Sequence, residues 1–272
     1  MKKKALIGLI GLVALSVLAV GCGKKEAADK GVEKVKLGVV GENTEVWEDV
    51  QDRLKDQGIE VEIVKFTDYN QPNAALADGS IDLNSFQHQI FLDNYNTEHK
   101  TDLVAIGDTV TAPLAIYSDK IKDIKELKEG DKVSIPNDVT NGGRALLLLQ
   151  TAGLIKVDPA AKTTPTPKDV TENNLNLKIS ELDATQVARS LQDVDIALIN
   201  SGLAVDAGFV PSEDGIFLEP IDATSKPYVN IIVSTTENKD KEVFKKIVKE
   251  YQTEATKKVI DETSKGSSVP AW

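Results

Sequence analysis

The residues best equipped for chemistry on a small molecule lie in Pro136-Asn137-Asp138-Val139-Thr140-Asn141-Gly142-Gly143-Arg144. The β-rich run 132–135 stops at Pro136, and the apolar run after Arg144 predicts a helix over 142–152, with Arg144 in its first turn. Unpaired backbone N–H groups and a guanidinium would then converge on one spot. That suits a small carboxylate, because helix N-termini hold free donors and partial positive charge, and Arg grips a carboxylate with two parallel hydrogen bonds. Arginine is scarce here, three residues (Arg53, Arg144, Arg189) against 29 lysines, so an arginine beside two glycines reads as a specific choice. The competing reading is an ordinary ion pair with a neighbouring acid such as Asp138.

Further candidates follow the ends of predicted strands. Tyr69, Phe86, His88 and Phe91 do so in the first part of the chain, Asn141, Arg144 and Asn200 in the second, and Asn230 near the return. Rings suit an apolar or thioether side chain, and Arg and Asn amides suit an α-carboxylate and α-amine. Core packing of Phe86 and Phe91 and a hydrogen-bonded structural role for His88 stay open. Catalysis is poorly supported: there is no glycine-flanked serine, no GxxxxGK(S/T) loop and no thiol in the folded body. Metals fare no better, since His88 and His99 are the only histidines and no HExxH or CxxC spacing occurs, so no cofactor is expected.

The elements needed to position these residues alternate between period two and period 3.6. Strands are predicted over 35–40, 59–66 and 81–86, with helices over 46–54, 73–77 and 87–95 and strand material over 103–117 broken at Pro113. A similar plan recurs: strand 132–135, helix 142–152, strand 175–179, helix 185–191 and strand 194–199, with a proline-rich loop over 157–167. A strand over 230–234 and helices from Lys241, broken near Glu254, then return to the first unit. The expected fold is α/β with two lobes and a cleft between them, lobe I being 34–114 and 225–272 and lobe II 115–224. Parallel α/β sheets bind ligands beyond the carboxyl ends of their strands, so two facing lobes make a cleft.

Composition bounds the partners. Apolar content of 41% and charged content of 28% are ordinary for a globular protein, and the net charge of −11 disfavours nucleic acid. At the N-terminus Met1-Lys2-Lys3-Lys4 precedes a mostly apolar run over 5–20 and then Gly21-Cys22, a signal-peptide pattern over 1–21 that is short of the ~20 apolar residues of a spanning helix. Without Lys2, Lys3 and Lys4 the balance is 29 basic against 43 acidic residues, or −14. Cys22, the sole cysteine, cannot form an internal disulfide, and its setting resembles a bacterial lipobox, which implies lipidation. Residues 22–33 read as a flexible tether.

Several blocks in order resemble the NlpA-type substrate-binding lipoproteins of methionine ABC importers: Phe66-Thr67-Asp68-Tyr69 with Pro72-Asn73-Ala74-Ala75-Leu76, the run from Gly79 to His88, Ile135-Pro136-Asn137-Asp138 with Thr140-Asn141 and Gly143-Arg144, Ala197-Leu198-Ile199-Asn200, and the run from Pro227 to Val233. The resemblance implies a type II periplasmic-binding-protein fold in which Tyr69, Phe86, His88, Arg144, Asn200 and Asn230 contact methionine, with Arg144 on the carboxylate. It also implies a palmitate-bearing anchor on the extracytoplasmic face of the cell membrane, and as partners an ABC permease and its ATPase, with the receptor itself a monomer and not an enzyme. Three positions depart from the family's habit: Val139, Ile90, and Leu203 where an aromatic residue is frequent. Another small amino acid, a methionine-containing dipeptide, an enzyme on the same fold and a surface adhesin stay open as alternatives.

Overall fold

The computed structural model describes residues 32–265 and 267–272; the expected signal peptide, Cys22 and the tether up to residue 31 lie outside the described residues. Strand β1 (Glu33–Val40) takes the last residue of the expected tether, because Glu33 pairs in register with Ile59 of strand β2 (Ile59–Phe66). Helix α1 (Glu45–Lys55) between them turns Trp47, Val50 and Leu54 inward. Helix α2 (Pro72–Ala77), strand β3 (Leu83–Asn84), helix α3 (Gln89–His99) and strand β4 (Leu103–Thr111) follow. The third strand is shorter than expected because the chain turns away into a buried amide cluster: Asn73 and Gln87 exchange bonds of 2.8 and 2.6 Å, and Asn84 bonds each of them at 2.9 Å. Buried amides are costly unless partnered, so this cluster holds segment 84–88 in one place.

The second sheet is built from β5 (Ala115–Tyr117), β6 (Lys132–Pro136), helix α4 (Val139–Thr151), a small hairpin β7 (Lys156–Val157) and β8 (Val170–Glu172), then β9 (Lys178–Leu182), helix α5 (Ala184–Val187), β10 (Ile196–Ile199), helices α6 (Ser201–Asp206) and α7 (Pro211–Asp214), and β11 (Phe217–Leu218). Strand β9 starts three residues later than its apolar run suggests. Asn173 bonds the amide and carbonyl of Leu177 at 2.9 and 3.0 Å, which makes 173–177 a side-chain-closed turn. The chain then returns through β12 (Val229–Thr235), helices α8 (Glu242–Tyr251) and α9 (Glu254–Ser264), and β13 (Val269–Pro270).

The six-stranded sheet runs β13-β4-β12-β3-β1-β2 and the five-stranded sheet β11-β5-β10-β6-β9. In each, a first strand (β1 or β6) is flanked in parallel by the next two, and an antiparallel strand (β12 or β5) follows. Both of those antiparallel strands arrive by crossing from the other sheet, at 112–114 and at 219–228. Each sheet has its own core: Leu37, Leu83 and Ile232 under one, Ile135, Leu146 and Leu198 under the other. The two-lobed α/β fold follows from this division. Among the described residues no helix is long and apolar enough to cross a membrane.

Candidate functional site

Helix α4 begins before its glycines, three residues earlier than expected. Asp138 is the reason: its carboxylate accepts from the Asn141 backbone N–H at 2.8 Å and from the Thr140 hydroxyl at 2.9 Å, closing the N-terminus from outside. Arg144 therefore lies in the second turn, not the first. The glycines serve close approach. A Cβ on Gly142 would stand 2.7 Å from the Pro136 carbonyl oxygen, and one on Gly143 2.8 Å from Thr164 Cα. Gly142→Ala is expected to lower stability by about 1–3 kcal/mol, as overpacking against backbone does; thermal melting checks this, and an unchanged midpoint would show that β6 yields without cost.

The Arg144 guanidinium is paired, with Glu219 and not with Asp138. Nε donates to Glu219 Oε1 at 2.9 Å and Oε2 at 3.1 Å, while Nη2 donates to Glu219 Oε2 and, at 3.0 Å, to the Ala112 carbonyl. Its Cζ lies 4.4 Å from the Tyr228 ring centroid, and Glu219 Oε2 also accepts from Leu114 N–H at 3.0 Å. Ala112, Leu114, Glu219 and Tyr228 belong to the two crossing segments, so one side chain of α4 ties both to the second sheet. Nε and Nη2 are thus occupied within the protein, and among the described residues none accepts from Nη1.

His88 caps α3. Its Nδ1 accepts from Phe91 N–H at 3.2 Å, which puts the ring proton on Nε2, and Nε2 faces Asn141 Oδ1 at 3.3 Å. Burial, and then the Arg144 charge, push His88 from 6.5 down to about 3. A histidine depressed in the folded state binds a proton more readily unfolded, so its stabilising share is complete above pH 6.5 and is lost as pH falls towards 3. The expected slope is up to about 1.4 kcal/mol per pH unit in that window. Melting of wild type and His88→Gln at pH 5 and 7 tests it, with the variant showing the shallower pH dependence; equal slopes would rule it out.

Asn141 joins the two sheets. Besides facing His88 of the first lobe, its Oδ1 accepts from Asn200 Nδ2 at 2.7 Å, and its Nδ2 donates to both Asp138 oxygens at 3.0 and 3.1 Å. Asn200 Oδ1 is buried and has no hydrogen-bond partner among the described residues. Asn230 pairs with His88 through an isolated β-bridge. Tyr69, Phe86 and Phe91 form a cluster with centroids 5.8–6.2 Å apart, and burial followed by the nearby Asp138 charge holds the Tyr69 phenol above its usual range.

All eight residues read from the sequence, Tyr69, Phe86, His88, Phe91, Asn141, Arg144, Asn200 and Asn230, line one cavity of about 180 Å³. Leu203 lines it too, whereas Ile90 and Val139 do not, and Val139 is exposed. Sequence reasoning missed Ser201 and Gly202, which open α6 just after Asn200; the strand-end rule applied to β10 was the signal for them. It also missed Gln87, whose amide serves the buried cluster under the cavity floor.

The NlpA lipoprotein family model matches residues 35–272. The chain belongs to that family. Among NlpA lipoproteins, the D-methionine-binding lipoprotein MetQ of Escherichia coli (strain K12) is 45% identical over 267 residues, covering 97% of this chain and 96% of that protein. A nutrient-binding protein from Burkholderia cenocepacia, solved bound to methionine, superposes with a TM-score of 0.84 at 43% identity over 88% of this chain and 100% of that one. The substrate-binding protein of a methionine transporter from Streptococcus pneumoniae gives 0.83 at 41% identity, over 88% and 96%. These likenesses span the whole NlpA body, both sheets and the cavity between them.

Proposed function

We propose that this NlpA lipoprotein is the substrate-binding component of an ABC importer, taking methionine, as the L or D form or within a small dipeptide, into the cavity between lobe I (34–114 and 225–272) and lobe II (115–224). The observation that carries the reading is the composition of the cavity wall: three clustered rings for an apolar side chain, one guanidinium edge for a carboxylate, and one buried acceptor, Asn200 Oδ1, without a partner among the described residues. A thioether fits the rings because sulfur makes favourable contacts with aromatic edges. Closure then brings Asn141 onto His88, and Asp206 onto the backbone N–H groups of Glu42 and Asn43 at 3.2 and 3.1 Å. Arg144, bound to both crossing segments, couples ligand to the hinge.

On this reading Cys22 carries the lipid, the receptor stands as a monomer on the extracytoplasmic face, and the loaded form docks on a permease driven by its ATPase. The ligand leaves chemically unchanged. Calorimetry with a panel of amino acids and methionine dipeptides, with recovery of the ligand afterwards, tests it. Tight binding of methionine and its intact recovery support the receptor; a consumed ligand points to an enzyme, and absence of binding to an adhesin. Labelling with palmitate that persists in Cys22→Ser would refute the anchor.

A further inference from the structure

Of the described residues lining the cavity, Arg144 alone is charged, His88 being held neutral. Its counter-charge is off the wall: Glu219 sits behind the guanidinium, both its oxygens on Nε or Nη2 and one also on Leu114 N–H, with side chains 16% and 5% exposed for Glu219 and Arg144. The other carboxylates whose charge reaches the wall at Tyr69 are engaged elsewhere: Asp138 on the N-terminal donors of α4, Asp206 on the backbone N–H groups of Glu42 and Asn43, and Asp183 on the Thr185 N–H and hydroxyl. This arrangement separates two properties of an arginine. Its directional donors act at contact distance through Nη1, while its charge acts over the whole cavity, where screening by water is weak. Unopposed, that charge would favour any anion and repel an ammonium a few ångströms away. Glu219 cancels the long-range part and leaves the donors.

We propose that Glu219 determines specificity for zwitterions: by offsetting Arg144 it lets the cavity accept a guest with both carboxylate and ammonium in preference to the same side chain in anionic or cationic form. The inference rests on the reading of Arg144 as the carboxylate contact. It explains why no carboxylate is needed on the wall for the ammonium. Asn200 Oδ1, a dipole without a partner among the described residues, suffices once the guanidinium's field is offset.

The test compares methionine with its 2-oxo acid, which lacks the ammonium, and with methionine amide, which lacks the carboxylate, by competition calorimetry on wild type, Glu219→Gln and Glu219→Asp. The ratio of affinities within one variant is independent of the fraction folded. Wild type should favour methionine over both, and Glu219→Gln should move the methionine-to-oxo-acid ratio towards the anion by at least about tenfold. Glu219→Asp keeps the charge and should keep the preference. An unchanged ratio in the Gln variant, or an Asp variant that shifts as far as Gln, would overturn the proposal. Wild type that binds no methionine would instead strike the functional reading, and the same ratio would then be measured with the amino acid the panel returns and its 2-oxo acid.

Discussion

Arg144→Ala should cost both binding and stability. On the proposed reading it removes the donor to the ligand carboxylate, and losing one partner of a desolvated charged contact costs about 2–5 kcal/mol, roughly thirtyfold to several thousandfold in affinity. The stability effect comes from what is left behind. Glu219, 16% exposed at its side chain, loses three hydrogen bonds from the guanidinium, and an abandoned buried charge costs about 3–5 kcal/mol. For a body of this size that is a fall in melting temperature on the order of 10 °C. Affinity and stability part company in the double variant Arg144→Ala/Glu219→Ala, which removes both charges and should regain much of the melting temperature while binding stays lost. A double variant that binds as well as wild type would remove Arg144 from the ligand; one that melts no higher than Arg144→Ala would remove the stranded-charge explanation.

The Arg144–Glu219 pairing could not be read from the sequence. Hydrophobic periodicity is local, so the first strand and helix of each lobe, the return of β12 to the first sheet and the break between α8 and α9 are legible in 10-residue windows. Strand ends are legible for the same reason, and a cleft between parallel sheets gathers what lies there. Pairings across the chain are not: Arg144 and Glu219 are 75 residues apart, His88 and Asn141 53. Glu219 had nothing local to mark it among many acidic residues. The start of α4 at Val139 escapes the local pattern for a different reason. Glycine ends helices when it must supply a positive φ, but Gly142 and Gly143 are helical and small because Pro136 and Thr164 come too close for a side chain. The distinction is tertiary.

Asn141→Ala should separate from Arg144→Ala in kind. Asn141 uses its amide fully, giving to Asp138 while its oxygen meets His88 and Asn200. With alanine, Asp138 still receives the Asn141 backbone N–H and the Thr140 hydroxyl, so the cap on α4 survives and the unliganded fold loses little. The loss falls on the His88 ring N–H and the Asn200 amide, from opposite sides of the cleft. In an open cleft water serves both, so the penalty of about 1–3 kcal/mol for each unsatisfied group is felt only on closure over the ligand. With two such groups, affinity for methionine should therefore drop by about thirtyfold or more, with a melting shift of a few degrees at most. Protonation of His88 does not rescue it near neutral pH, because the ring stays neutral until about 3. A melting loss as large as that of Arg144→Ala, with affinity unchanged, would make Asn141 a strut of the second lobe instead of the joint that closes the cleft.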